Sequence, residues 1–177
     1  MLEKLQMYIN GEWVDSHSTE TIEVMNPSDD SVLGVITAGN SDDVDKAVAA
    51  AKAAFVDFSF STKEERVQIL ENIITEYEKR SEELAETISK EMGAPIWLSQ
   101  VAQVASGLTH FKDTLNVLKS YDFEYEKDGY LVRKEPVGVV GMITPWNWPM
   151  NQTVSYTHLR AHETPEHLVC RLLREKK

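Results

Sequence analysis

Hydrophobic and polar positions along this chain follow two periods and then a single unbroken run. Between Met7 and Val14, β-forming residues flank Asn10-Gly11, a pair that accepts the positive φ angles of a tight hairpin turn. Thr21 to Met25 and Val32 to Thr37 read as two further strands, separated by a turn over Asn26-Pro27-Ser28-Asp29-Asp30. After Gly39-Asn40-Ser41 the period lengthens. Val44, Ala47, Val48, Ala51 and Phe55 recur at helical spacing. Ser41 is placed to cap that helix, with Asp42, Asp43 and Asp45 near its positive end.

Thr62 and Glu65 form a capping-box pattern. Val67, Leu70, Ile74 and Tyr77 follow on one helical face, widened by Ile73. The polar stretch Glu78 to Glu83 predicts a bend or break before Leu84, Ala85 and Ile88 resume the stripe. Gly93 and Pro95 close it. From Ile96 to Leu118 the spacing is again helical, with Val101, Val104, Leu108, Phe111, Leu115 and Leu118 on one side. Tyr121 to Glu126 alternates aromatic and acidic residues, as a half-buried strand does. Lys127-Asp128-Gly129 supplies a turn and Tyr130 to Lys134 the returning strand, giving an exposed hairpin able to pair with another edge. No internal repeat or low-complexity linker is visible.

The unbroken run is Val137-Gly138-Val139-Val140-Gly141-Met142-Ile143. Without alternation it reads as a strand covered on both faces, the kind found inside parallel sheets, where ligands gather at the carboxyl ends. Pro145 ends the strand, and Pro149 holds Trp148 extended. Trp146, Asn147 and Trp148 therefore sit on the rim of a short loop. Asn147 carries the one side-chain amide there that could meet a developing oxyanion. Loop tryptophans serve equally well as core packing.

The residues Ile143-Thr144-Pro145-Trp146-Asn147-Trp148-Pro149, followed by Met150-Asn151-Gln152, resemble a signature of the NAD(P)-dependent aldehyde dehydrogenase superfamily. The likeness extends upstream through Met7 to Val14, Asn26-Pro27 and Glu135 to Val140, and covers nearly all of residues 1–152. It implies an α/β fold made of arm hairpins, several helices and the first strand of a Rossmann-like cofactor domain, incomplete in this chain. It implies an oxidoreductase that takes an aldehyde to a carboxylic acid with NAD or NADP through a cysteine thiohemiacetal. By the same transfer Asn147 is the oxyanion donor, and Ile143, Thr144, Pro145, Trp146 and Asn147 line the dinucleotide cleft. The resemblance also implies that the hairpin at about 121–134 is part of an arm that joins subunits, so a homo-oligomer is expected of the full-length protein. The nucleophilic cysteine, the activating glutamate and a later glycine-rich turn have no counterparts here, and the chain alone is expected to be inactive.

Charge and composition exclude other classes. A net charge of −11 over 177 residues disfavours nucleic acid or an anionic membrane as partner. No apolar stretch reaches membrane-spanning length and no secretory signal is visible. A single cysteine forms no internal disulfide, which suits the cytoplasm.

Beyond Gln152 the family pattern stops. Val154 to Thr164 and His167 to Leu173 resemble one reading frame of translated sequencing-adapter DNA, so residues 153–177 are expected to be a non-native tail. Cys170 beside His167 is then not the family's nucleophile. His162, Glu163, Glu166 and His167 lack zinc-ligand spacing and are interrupted by Pro165, so no metal is expected. A short helix after Thr164 would be accidental. Without strand neighbours, residues 1–152 are expected to be marginally stable, with the apolar run exposed. Two alternatives stay open: a non-catalytic subunit-assembly module, and a semialdehyde dehydrogenase branch of the same superfamily. A cysteine segment encoded downstream of Gln152 would exclude the assembly module.

Overall fold

Two hairpins, a three-stranded sheet and a packed group of helices make up residues 2–159, the part of the chain that the computed structural model describes. Strands β2 (Gln6–Ile9) and β3 (Glu12–Asp15) pair antiparallel around Asn10 and Gly11 at φ 55° and 80°. These are the left-handed angles of a type I′ turn, which an Asn-Gly pair adopts at little cost. Tyr8 faces Trp13 across the pair with ring centroids 5.2 Å apart. β4 (Thr21–Met25) runs antiparallel to β5 (Val32–Thr37), and β1 (Leu2–Lys4), a strand the hydrophobic pattern did not predict, adds parallel to the other edge of β5.

Helix α1 (Ser41–Phe58) is capped by Asn40, not by Ser41. Asn40 is extended and its side-chain oxygen accepts from the N–H groups of Asp42 and Asp43, while the Asp43 carboxylate accepts from the Asn40 N–H at 3.0 Å. The cap falls to the last extended residue, and Ser41 is already helical. Asp43 is buried, and its carboxylate also accepts from Ser16 Oγ at 2.6 Å and the His17 N–H at 2.9 Å. One carboxylate thus ties the connection after β3 to the start of α1. The expected apolar face of α1 is only partly used. Ala51 is buried, but Val44 and Val48 remain exposed, because the main neighbour of α1 among the described elements is the short β2.

The helical core follows the predicted stripes more closely. The Thr62–Glu65 capping box opens α2 (Lys63–Lys79), and a break at Arg80 separates it from α3 (Ser81–Met92). Gly93, at φ 72°, ends α3 in the left-handed conformation. A single turn, α4 (Ile96–Leu98), then leads into a π-helical stretch, Ser99–Val104, and α5 (Ala105–Ser120). Leu70, Ile74, Tyr77, Ala85, Ile88, Val104, Phe111 and Leu115 form one buried cluster. Val101 does not join it. A π turn takes up more residues than an α turn and shifts the phase of the face, so Val101 is 66% exposed while Ser99 and Gln103 are buried.

The exposed hairpin forms, from β6 (Glu124–Lys127) and β7 (Tyr130–Arg133), with Asp128 and Gly129 at its turn, but β6 starts at Glu124 and not at Tyr121, and is exposed throughout where its alternation predicts a half-buried strand. The strand predicted over Val137 to Ile143 does not form. No described strand pairs with it, and its end residues Val137 and Ile143 are 80% and 86% exposed. A doubly covered strand needs hydrogen-bonding neighbours on its edges, and the described strands are engaged in the sheet and the two hairpins.

Instead of a strand, the segment ends in α6 (Pro149–Leu159), which packs on α5 and the π-helical stretch. This helix runs through position 153, where the sequence pattern marks the start of a tail, and Val154 is fully buried in the core cluster. The readings made for residues 160–177, including the accidental helix after Thr164, lie outside the described residues.

Two measurements test this packing. A Cβ at Gly107 would meet Tyr77 Oη at 2.6 Å, Met150 Cβ at 3.1 Å and the Met150 carbonyl at 3.3 Å. Gly107→Ala should therefore destabilise the chain by about 1–3 kcal/mol in denaturant unfolding, despite the better helix propensity of alanine. At Asp43, burial works to raise the carboxyl, but donation from Ser16, His17 and Asn40 outweighs it and holds the group below its ordinary value. A lowered folded-state value gives stability that is present above the unfolded value, about 3.9, and lost as pH falls through the folded one. Asp43→Asn should cost about 1–3 kcal/mol at neutral pH, and its gap from the wild type should shrink in acid.

Candidate active-site loop

The loop between the apolar run and α6 is built by three separate constraints. Pro145 and Pro149 restrict the backbone at either end. Pro149 also occupies the first turn of α6, where its missing N–H is no loss. The Gln152 N–H donates to the Trp148 carbonyl at 2.9 Å, which starts the helix directly after Asn147. From the other side, Gln103 Nε2 donates to the Asn147 carbonyl at 3.3 Å. Both carbonyls that follow the loop's midpoint are therefore held, and the Asn147 side chain lies at the surface.

The predicted site residues stay together at the surface. Ile143, Thr144, Pro145, Trp146 and Asn147 are all exposed, Ile143 at 86% and Trp146 at 62%. Trp148 sits at the edge of exposure, at 36%. Behind the loop, Asn151 Nδ2 lies 2.8 Å from His110 Nε2 and links α6 to α5.

Beneath them, Tyr77 Oη donates to the Val104 carbonyl at 2.7 Å, and its ring meets Phe111 edge-on at 5.8 Å. Burial pushes the Tyr77 phenol far above its ordinary value, so it is a donor at any working pH. Sequence reasoning missed Gln103 altogether. The helical period places Val101 inward and carries no sign of the π turn that buries Gln103 instead.

A large open groove of about 690 Å³ lies elsewhere, where the end of α1 meets α2. It is walled by residues such as Phe58, Phe60, Glu65 and Ile69 and contains no residue of the 143–149 loop. Its acidic residues Asp57 and Glu65 disfavour phosphate. No group of three or more His, Cys, Asp or Glu among the described residues could hold a metal. No described helix is long and apolar enough to cross a membrane.

The sequence model of the aldehyde dehydrogenase family matches residues 13–158. The chain belongs to that family. It is 47% identical over 148 residues to a Staphylococcus haemolyticus protein named "Putative aldehyde dehydrogenase", covering 84% of this chain and 31% of that one. A crystal structure of an aldehyde dehydrogenase from Bartonella henselae superposes with a TM-score of 0.85 at 41% identity, over 87% of this chain and 33% of the other. A mutant of aldehyde dehydrogenase C from Pseudomonas syringae, in complex with NAD+ and octanal, gives 0.82 at 39% identity, over 85% and 31%. The chain thus spans about a third of the length of the curated relatives it matches, and its α/β fold is an incomplete part of theirs.

Trp146 and Ile143 offer exposed apolar surface, but residues 135–159 contain no Lys or Arg to meet phosphate.

The exposed ends of the run offer a direct test. In this chain Val137→Lys with Ile143→Lys should leave stability within about 0.5 kcal/mol, as exposed positions do. It should also reduce concentration-dependent light scattering, by placing charge in an apolar segment.

Proposed function

We propose that this chain forms the N-terminal part of an NAD(P)-linked aldehyde dehydrogenase and contributes the oxyanion donor of its active site. The observation that carries the reading is the disposition of Asn147. Its backbone carbonyl is engaged by Gln103, the next residue begins a helix, and its side-chain amide is at the surface.

An amide N–H₂ is a neutral donor. It stabilises negative charge as that charge develops on a carbonyl oxygen, and it needs no proton transfer of its own. Because its backbone is held beforehand, little reorganisation remains to be done at the moment of reaction. The bound dinucleotide would accept the hydride that leaves the substrate carbon. For their part, Ile143 to Trp146 would form the apolar side of the cleft, and Asn147 would orient the carbonyl oxygen. The nucleophile belongs to the part of the protein outside this chain.

The acid product, the aldehyde as substrate and the choice between NAD and NADP all belong to this proposal. Support comes from family membership and from the NAD+ complexes of similar enzymes. The β6–β7 hairpin, exposed along most of its length with Tyr130 and Leu131 outward, is read as an arm that pairs subunits of the full-length protein.

The test is Asn147→Ala in the full-length dehydrogenase that carries this segment. Loss of one oxyanion donor should lower kcat by roughly 100- to 1000-fold, equivalent to about 2.7–4 kcal/mol. The dissociation constant for the dinucleotide should hardly move. Turnover at the wild-type rate would remove Asn147 from the mechanism.

A further inference from the structure

A side chain that reaches the Asn147 loop from the helical core, Gln103, is placed against the usual logic of burial. Along the π-helical stretch a valine, Val101, is 66% exposed while a glutamine two residues on, Gln103, is 3% exposed. Turning the amide in and the hydrocarbon out costs free energy twice. The buried amide is also only half satisfied, since Nε2 donates to the Asn147 carbonyl but Oε1 has no hydrogen-bond partner among the described residues.

The alternative amide orientation would set oxygen against oxygen, so the donor end is fixed by the loop itself. An unsatisfied buried acceptor typically costs at least as much as a single hydrogen bond contributes. Gln103 therefore adds little net stability. Its one evident effect is to hold the backbone of residue 147.

We propose that Gln103 is a positioning residue for the active-site loop: its side-chain N–H holds the Asn147 carbonyl so that the Asn147 amide is presented in one orientation. This rests on the reading of Asn147 as oxyanion donor, but the restraint can be measured without turnover. The π turn is the device that makes it possible, because an α-helical continuation would bring Val101 inward in its place. Tyr77 fixes that turn by donating to the Val104 carbonyl, one residue away.

The experiment is carried out on the 177-residue chain by NMR relaxation, with thermal unfolding alongside. Gln103→Met keeps the length and approximate volume of the side chain but removes both the donor and the orphan acceptor. Order parameters at Asn147 and Trp148 should fall from about 0.85 toward 0.6 or below, with the unfolding midpoint unchanged or raised and the β2–β3 hairpin unaffected. Gln103→Leu should behave in the same way.

Ser99→Ala is the control. It deletes the other orphaned buried oxygen, Ser99 Oγ, and should leave the loop ordered. Unchanged loop order in both Gln103 variants would overturn the proposal. So would loosening spread over the whole chain with a lowered midpoint, which is the mark of a merely structural role. A loosened loop combined with full activity of Asn147→Ala would leave the restraint standing and sink the catalytic reading instead.

Discussion

Everything around the loop depends on one buried hydroxyl. Tyr77 projects from α2, packs edge-on against Phe111, and gives its proton to the Val104 carbonyl at the end of the π-helical stretch. That carbonyl sits where the backbone passes from π to α geometry, so the hydroxyl holds the chain at the point of change. The space the hydroxyl occupies exists because position 107 is glycine, and the same absence of a side chain lets Met150 of α6 settle against α5. A single contact therefore fixes α2 against α5, the phase of the π turn and the seat of α6. The loop between Pro145 and Pro149 inherits its position from all three.

The features legible in the sequence were those set by near neighbours. Asn10-Gly11 demanded a hairpin and formed one, Thr62 and Glu65 capped α2, and Gly93 took the left-handed angle that ends α3. The face made by Leu70, Ile74 and Tyr77 was visible because a helix repeats its period regardless of what covers it. Even the error at α1 was local in kind. Ser41 and Asn40 are both good caps, and the choice fell to the residue whose backbone was still extended.

Features that depend on distant partners were not legible. The hydrophobic run at 137–143 has the composition of an inner strand, but a strand is a relation between segments, and no described strand pairs with it. In the same way, a 3.6-residue period cannot reveal a π turn. Val101 was read as core and Gln103 passed unnoticed, although the structure reverses them. The motif itself marked Asn147, but nothing in its spacing told which far-off side chain would hold its carbonyl.

The order of the loop and the state of the strand before it are separable. Ile143 is almost fully exposed and the run it ends is unpaired, yet Asn147 and Trp148 are both hydrogen-bonded through their carbonyls, to Gln103 and to Gln152. If the loop depended on the strand for its shape, its backbone would be as unengaged as the run that precedes it. Its anchors instead lie in α6 and in the π turn, and both of these pack on the helical core that Tyr77 closes. A donor meant for a developing oxyanion gains from that arrangement, because an oriented amide stabilises charge only to the extent that its direction is fixed beforehand. The helical core can supply that direction even while the neighbouring strand has no partner.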